Sequence, residues 1–92
     1  MKARAHLYVS GRVQGVYFRA NTRDWAQAFG VSGWVRNLLD GRIEAVFEGE
    51  EEDVKKVVSL VKKGPASAFV KEVRMNWEDY QGEFKEFEVR YF

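Results

Sequence analysis

The hydrophobic pattern of this chain switches repeatedly between a period of two, the mark of a half-buried strand, and a period of about 3.6, the mark of a helix on a core. That alternation limits the available folds more than any other feature. In residues 3 to 10, Ala3, Ala5, Leu7 and Val9 alternate with Arg4, His6, Tyr8 and Ser10. From Phe18 to Phe29 a single helical stripe carries Phe18, Thr22, Trp25 and Phe29, and Gly30 stands where a left-handed residue ends a helix. The run VSGWVRNLLDGRIEAVFEG reads as two strands closed by a turn at Asp40 and Gly41. Its second strand directs Ile43, Ala45 and Phe47 inward and Glu44 and Glu48 outward. Val54, Val57, Val58 and Val61 then repeat at i, i+3, i+4, i+7, with acids before them and Lys62, Lys63 and Gly64 after. Pro65 forbids further helix. Period two returns at Val73, Met75 and Trp77 and, past a polar loop around Gln81 and Gly82, at Phe87, Val89 and Tyr91.

The order is β, α, β, β, α, β with a short extra C-terminal strand. Two split βαβ units of this kind make a ferredoxin-like α+β sandwich, an antiparallel sheet with both helices on one face. With 92 residues, the chain is expected to form one domain over positions 1–92 with a thin core. A chain that starts at Met1 and closes on a strand is expected to stand alone rather than within a larger protein.

Composition narrows the chemistry. Fifteen Lys and Arg against 14 Asp and Glu give no basic excess of the kind a nucleic-acid reader shows, so no nucleic-acid partner is expected. There is no cysteine, which removes disulfides, thiolate metal sites and cysteine nucleophiles. The single histidine, His6, leaves a histidine metal site or a serine triad without parts and reads as a sheet-surface residue. Neither a secretion signal nor an apolar stretch of the roughly 18 residues needed for a span is present, so a cytoplasmic protein is expected, with no membrane partner. Scarce Asn and Gln beside abundant Lys, Arg and Glu point toward a thermophilic source. Glu50, Glu51, Glu52 and Asp53 read as a helix N-terminal charge cluster, not a metal site. Tyr8, Trp34, Trp77 and Tyr91 read as core in preference to an RNA-stacking platform.

One segment remains for chemistry. GRVQGVYFR, Gly11 to Arg19, joins the first strand to the first helix, where glycines let backbone N–H groups converge and the helix adds partial positive charge. Arg19, in the first turn, can clamp a phosphate bidentately beside those donors. The Walker and GxGxxG patterns both fail here, so no nucleotide loop is inferred.

These residues, followed by GWVRNLLDGRIE, resemble the two signature segments of the acylphosphatase family, close to GxVQGVxFR and GWVxNxxDGxVE. Gly33, Trp34, Val35, Asn37, Asp40, Gly41 and Glu44 fall on the pattern, with Ile43 in place of the usual valine. GPASAFV resembles the family's GPxxAxV at Gly64, Pro65, Ala68 and Val70, with Phe69 where arginine is frequent. The resemblance implies the ferredoxin-like fold and hydrolysis of the carboxyl–phosphate anhydride of small acyl phosphates, with inorganic phosphate as product and no cofactor or metal. It assigns substrate binding to Arg19, water positioning to Asn37, and backbone phosphate binding to Gln14, Gly15, Val16, Tyr17 and Phe18. Such a sparse site is sufficient in principle. The leaving carboxylate has a conjugate acid of pKa about 4 and needs no general acid. The alternative of the same fold is a noncatalytic module binding an anion or RNA. The sequence offers nothing that selects an acyl group and nothing that fixes the oligomeric state.

Overall fold

The computed structural model describes residues 1–91. Its elements are β1 (Lys2–Arg12), α1 (Phe18–Ala28), β2 (Ser32–Asn37), β3 (Ile43–Glu50), α2 (Glu51–Lys63), β4 (Phe69–Glu78) and β5 (Phe87–Arg90). The sheet order is β4-β1-β3-β2-β5. The first four are antiparallel neighbours, as two split βαβ units require. The terminal strand differs from expectation: β5 lies parallel to β2, pairing Gly33 with Phe87 through Arg36 with Arg90, so the sheet is mixed. The cause is a crossover. To leave β4 at one edge and reach β2 at the other, the chain must cross the sheet face that carries no helix, and it then enters β5 in the direction of β2.

The periodicities map onto burial. Leu7 and Val9 of β1, Val35 of β2 and Ile43 and Phe47 of β3 are fully buried and meet Val54, Val57, Val58 and Val61 of α2. On α1 the deep positions are Phe18, Thr22 and Ala26, while Trp25 and Phe29 pack at the core's margin. Each fully buried valine, leucine or phenylalanine contributes about 1.5–3 kcal/mol. Gly30 adopts the left-handed conformation at the end of α1. In the β2–β3 hairpin the Gly41 amide bonds the Leu38 carbonyl, so the turn centres on Leu39 and Asp40, and Gly41 follows it with φ 94°. Gly33 cannot be replaced cheaply, since a Cβ there would sit 1.9 Å from the Val46 carbonyl oxygen.

Two sequence expectations are corrected by the pattern of burial. Glu44 and Glu48 do point away from the helices, yet both are buried, Glu48 at 1% exposure. The crossover covers Glu48, whose Oε2 accepts from Arg4 Nη1 at 3.2 Å and from the Gln81 amide at 2.8 Å, and Arg4 also bonds Glu78 and Glu83; Glu44 is enclosed instead by His6, Arg36 and Tyr8. The aromatic residues assigned to the core are not in it. Trp77, beside α2, and Tyr91, beside Arg19 of α1, are exposed at the margin of the helix side, while on the helix-free face Arg36 and Arg90 lie over Trp34 and Arg42 lies over Tyr8. A charged sheet face favours such stacking, because ring faces attract guanidinium groups. Among the described residues the buried rings are Phe18, Phe47 and Phe87, the last two stacked at 5.4 Å.

His6 lies on this face between two carboxylates, Nε2 2.6 Å from Glu44 and Nδ1 2.9 Å from Glu78. Burial alone would raise the Glu44 carboxyl, but hydrogen bonds from His6, Arg36 and Tyr8 outweigh it and hold the group below its ordinary value. Hydrogen bonds from His6 and then Arg4 do the same for Glu78. A carboxyl with a depressed folded-state pKa stabilises the fold above its unfolded value and loses that contribution as pH falls through the folded one. The melting temperature is therefore expected to hold from neutral pH to about pH 4.5 and to fall below it, with a shallower fall in Glu44→Gln. A flat acid profile would remove these carboxylates as a source of stability. Among the described residues no helix is long and apolar enough to cross a membrane.

Candidate active site

The loop after β1 reaches α1 through two left-handed residues, Gly15 at φ 72° and Tyr17 at φ 61°. Tyr17 is the N-terminal cap, and a left-handed tyrosine is a strained choice for an exposed side chain. The bend directs the start of α1 into a cleft of about 410 Å³ lined by Gly15, Tyr17, Phe18, Arg19, Asn37 and Tyr91, among others. The first intrahelical bond runs from the Asn21 amide to the Tyr17 carbonyl, 3.0 Å, so the amides before Asn21 have no partner within the helix. Donors and helix dipole thus favour an anion in this cleft.

Arg19 is held by the end of the chain. Its Nη1 donates to the Arg90 carbonyl at 3.5 Å, and its guanidinium lies 4.9 Å from the centre of the Tyr91 ring. Asn37, the last residue of β2, pairs in register with the buried Ile43 and so points to the helix side of the sheet. Its Oδ1 is buried and without a hydrogen-bond partner. An uncompensated carboxamide oxygen costs about 1–3 kcal/mol, which is the kind of defect a reactive site retains.

The structure brings Arg19, Asn37, Gly15, Tyr17 and Phe18 to one cleft, joining residues far apart in sequence. Phe18 contributes as a core anchor, its ring buried beneath the helix start. In two members of the expected phosphate loop, groups other than the backbone N–H are engaged elsewhere. Gln14 Nε2 donates to the Leu38 and Arg42 carbonyls, and the Val16 carbonyl accepts from Ser67 Oγ at 3.0 Å. Neither residue lines the cleft. Sequence reasoning missed Tyr91 and Arg23, which do. Arg23 was recoverable, one helical turn beyond Arg19. Tyr91 had no local signal, because only the parallel pairing of β5 brings it to Arg19. Among the described residues no group of three or more His, Asp or Glu side chains is placed to hold a metal ion.

The acylphosphatase family model matches residues 5–89. The chain belongs to the acylphosphatase family. It is 53% identical to an acylphosphatase of Pelotomaculum thermopropionicum, covering 98% of both chains. It is 56% identical to one of a Roseiflexus species, covering 95% of this chain and 94% of that one. Among solved structures, the acylphosphatase of Bacillus subtilis superposes with a TM-score of 0.92 at 32% identity, covering 99% of this chain and 100% of that one. For this acylphosphatase-family chain the match extends over both the loop between β1 and α1 and β2.

Proposed function

We propose that this protein is an acylphosphatase that hydrolyses acyl phosphates to a carboxylate and inorganic phosphate without a metal ion. The observation that carries the mechanism is Asn37 lining the same cleft as Arg19 and the start of α1. Arg19 and the loop amides bind the phosphoryl group and stabilise charge on its equatorial oxygens as the anhydride bond breaks. The Asn37 carboxamide, at the cleft wall, hydrogen-bonds a water and aims the water's lone pair at phosphorus, opposite the leaving carboxylate. Water oxygen bonds to phosphorus, the P–O bond to the acyl group breaks with its electron pair on the carboxylate, and the water's proton passes to phosphate or solvent. A carboxylate leaving group is stable unprotonated at neutral pH, which is why a site without a general acid suffices.

We take the 92 residues as a single catalytic domain acting in the cytoplasm on small acyl phosphates, with no nucleic-acid partner. Near-neutral composition supports that reading over an RNA-binding module. The test is hydrolysis of benzoyl phosphate in excess chelator. Fast turnover unaffected by chelator is expected; chelator-sensitive turnover would overturn metal independence, and none at all would leave an anion-binding module.

A further inference from the structure

Both hydrogens of the Gln14 carboxamide are engaged by the hairpin. Nε2 donates to the Leu38 carbonyl at 2.8 Å and to the Arg42 carbonyl at 2.9 Å. These carbonyls flank the mouth of the β2–β3 hairpin, which is itself closed by the Leu38 amide bonding the Arg42 carbonyl at 2.8 Å. Leu38 follows Asn37, and Arg42 precedes Ile43, the register partner of Asn37. Gln14 in turn precedes Gly15 on the cleft wall. One side chain therefore ties the anion loop to the strand end that carries Asn37.

We propose that Gln14 is a positioning residue, one that fixes the distance between the phosphate-holding loop and Asn37 without touching substrate. The inference rests on the hydrolase reading above. Its physical basis is that Asn37 Oδ1 has no partner of its own, so the place of this residue at the cleft wall depends on the backbone of the hairpin. A donor pair already spent on two carbonyls has nothing left to offer a phosphate. In-line attack tolerates little error, and a displacement of about 1 Å at a reacting group can cost up to about a hundredfold in rate.

The test uses Gln14→Met, which keeps length and apolar bulk but cannot donate, with benzoyl phosphate as substrate and inorganic phosphate as inhibitor. Expected is a fall in kcat of about tenfold or more, with KM and phosphate inhibition changed by less than about twofold. In an Asn37→Ala background the same change should have no further effect. The side-chain amide resonances of Asn37 should shift or broaden in isotope-labelled Gln14→Met. Weakened phosphate inhibition with kcat intact would make Gln14 a substrate ligand, and multiplying losses in the double variant would uncouple it from Asn37; either overturns the proposal. Should Gln14→Met fail to fold, Gln14→Glu serves. Its carboxylate repels the two carbonyls at neutral pH, while its protonated form can donate one bond, so its rate relative to the native chain should rise as pH falls toward about 4. A constant ratio overturns the proposal. Failure of the native chain to turn over benzoyl phosphate would sink the hydrolase reading instead, and the Asn37 resonances would then decide whether Gln14 sets the hairpin's position.

Discussion

Replacing Arg19 by alanine is expected to lower kcat/KM for benzoyl phosphate by about three orders of magnitude and to weaken inhibition by inorganic phosphate in parallel. Arg19 is the cation that the structure holds in the cleft from outside its own helix, by the Arg90 carbonyl and the face of Tyr91. A guanidinium fixed in this way presents two parallel donors to phosphate oxygens with little entropy left to lose. Because the phosphate is charged both before and during the reaction, the loss should divide between binding and turnover. Arg19→Lys should recover only part of it, since an ammonium supplies charge without the planar pair of donors. The side chain lies outside the buried core, so near-ultraviolet circular dichroism should be unchanged. Unaltered phosphate inhibition in a folded Arg19→Ala variant would show that the anion sits elsewhere.

The fold and the site were legible in the sequence wherever a physical signal was local. The valine spacing of α2, the acids and lysines at its ends and Gly64 after it all act within a few residues, and α2 spans Glu51–Lys63 as they require. Asn37 and Arg19 were accessible as members of local motifs, and their convergence follows from strand order. What escaped was non-local. The parallel docking of β5 is decided by the crossover from β4, so neither the mixed sheet nor the seat of Tyr91 under Arg19 could be read from periodicity. The burial of Glu48 has the same origin: alternation assigned its direction, but only the loop folded across the sheet determines that it meets amides instead of water. Gln14 shows the limit of a motif from the other side. Its place in the loop suggested a phosphate contact through the backbone and was silent on the side chain, whose carboxamide the fold directs to the hairpin.

Asn37→Ala should separate catalysis from stability more sharply than any other change. We expect kcat to fall by about two to three orders of magnitude while KM and phosphate inhibition stay close to native, because a water positioner is needed in the transition state and hardly at all for binding. Stability should move in the opposite direction or not at all. In the native protein Asn37 Oδ1 is buried without a partner, and truncation removes that uncompensated oxygen along with its cost of about 1–3 kcal/mol. The melting temperature of Asn37→Ala is therefore expected to equal or exceed that of the native chain, whereas loss of a side chain that served the fold would lower it. Asn37→Asp supplies the electrostatic control: it keeps the shape but places a carboxylate beside a phosphate dianion, so KM should rise as kcat falls. A folded Asn37→Ala variant with near-native kcat would remove the residue from the mechanism. A large loss of melting temperature would make it a structural one. The combination expected here, slower yet no less stable, is what a carboxamide kept for the reacting water and not for the fold would give.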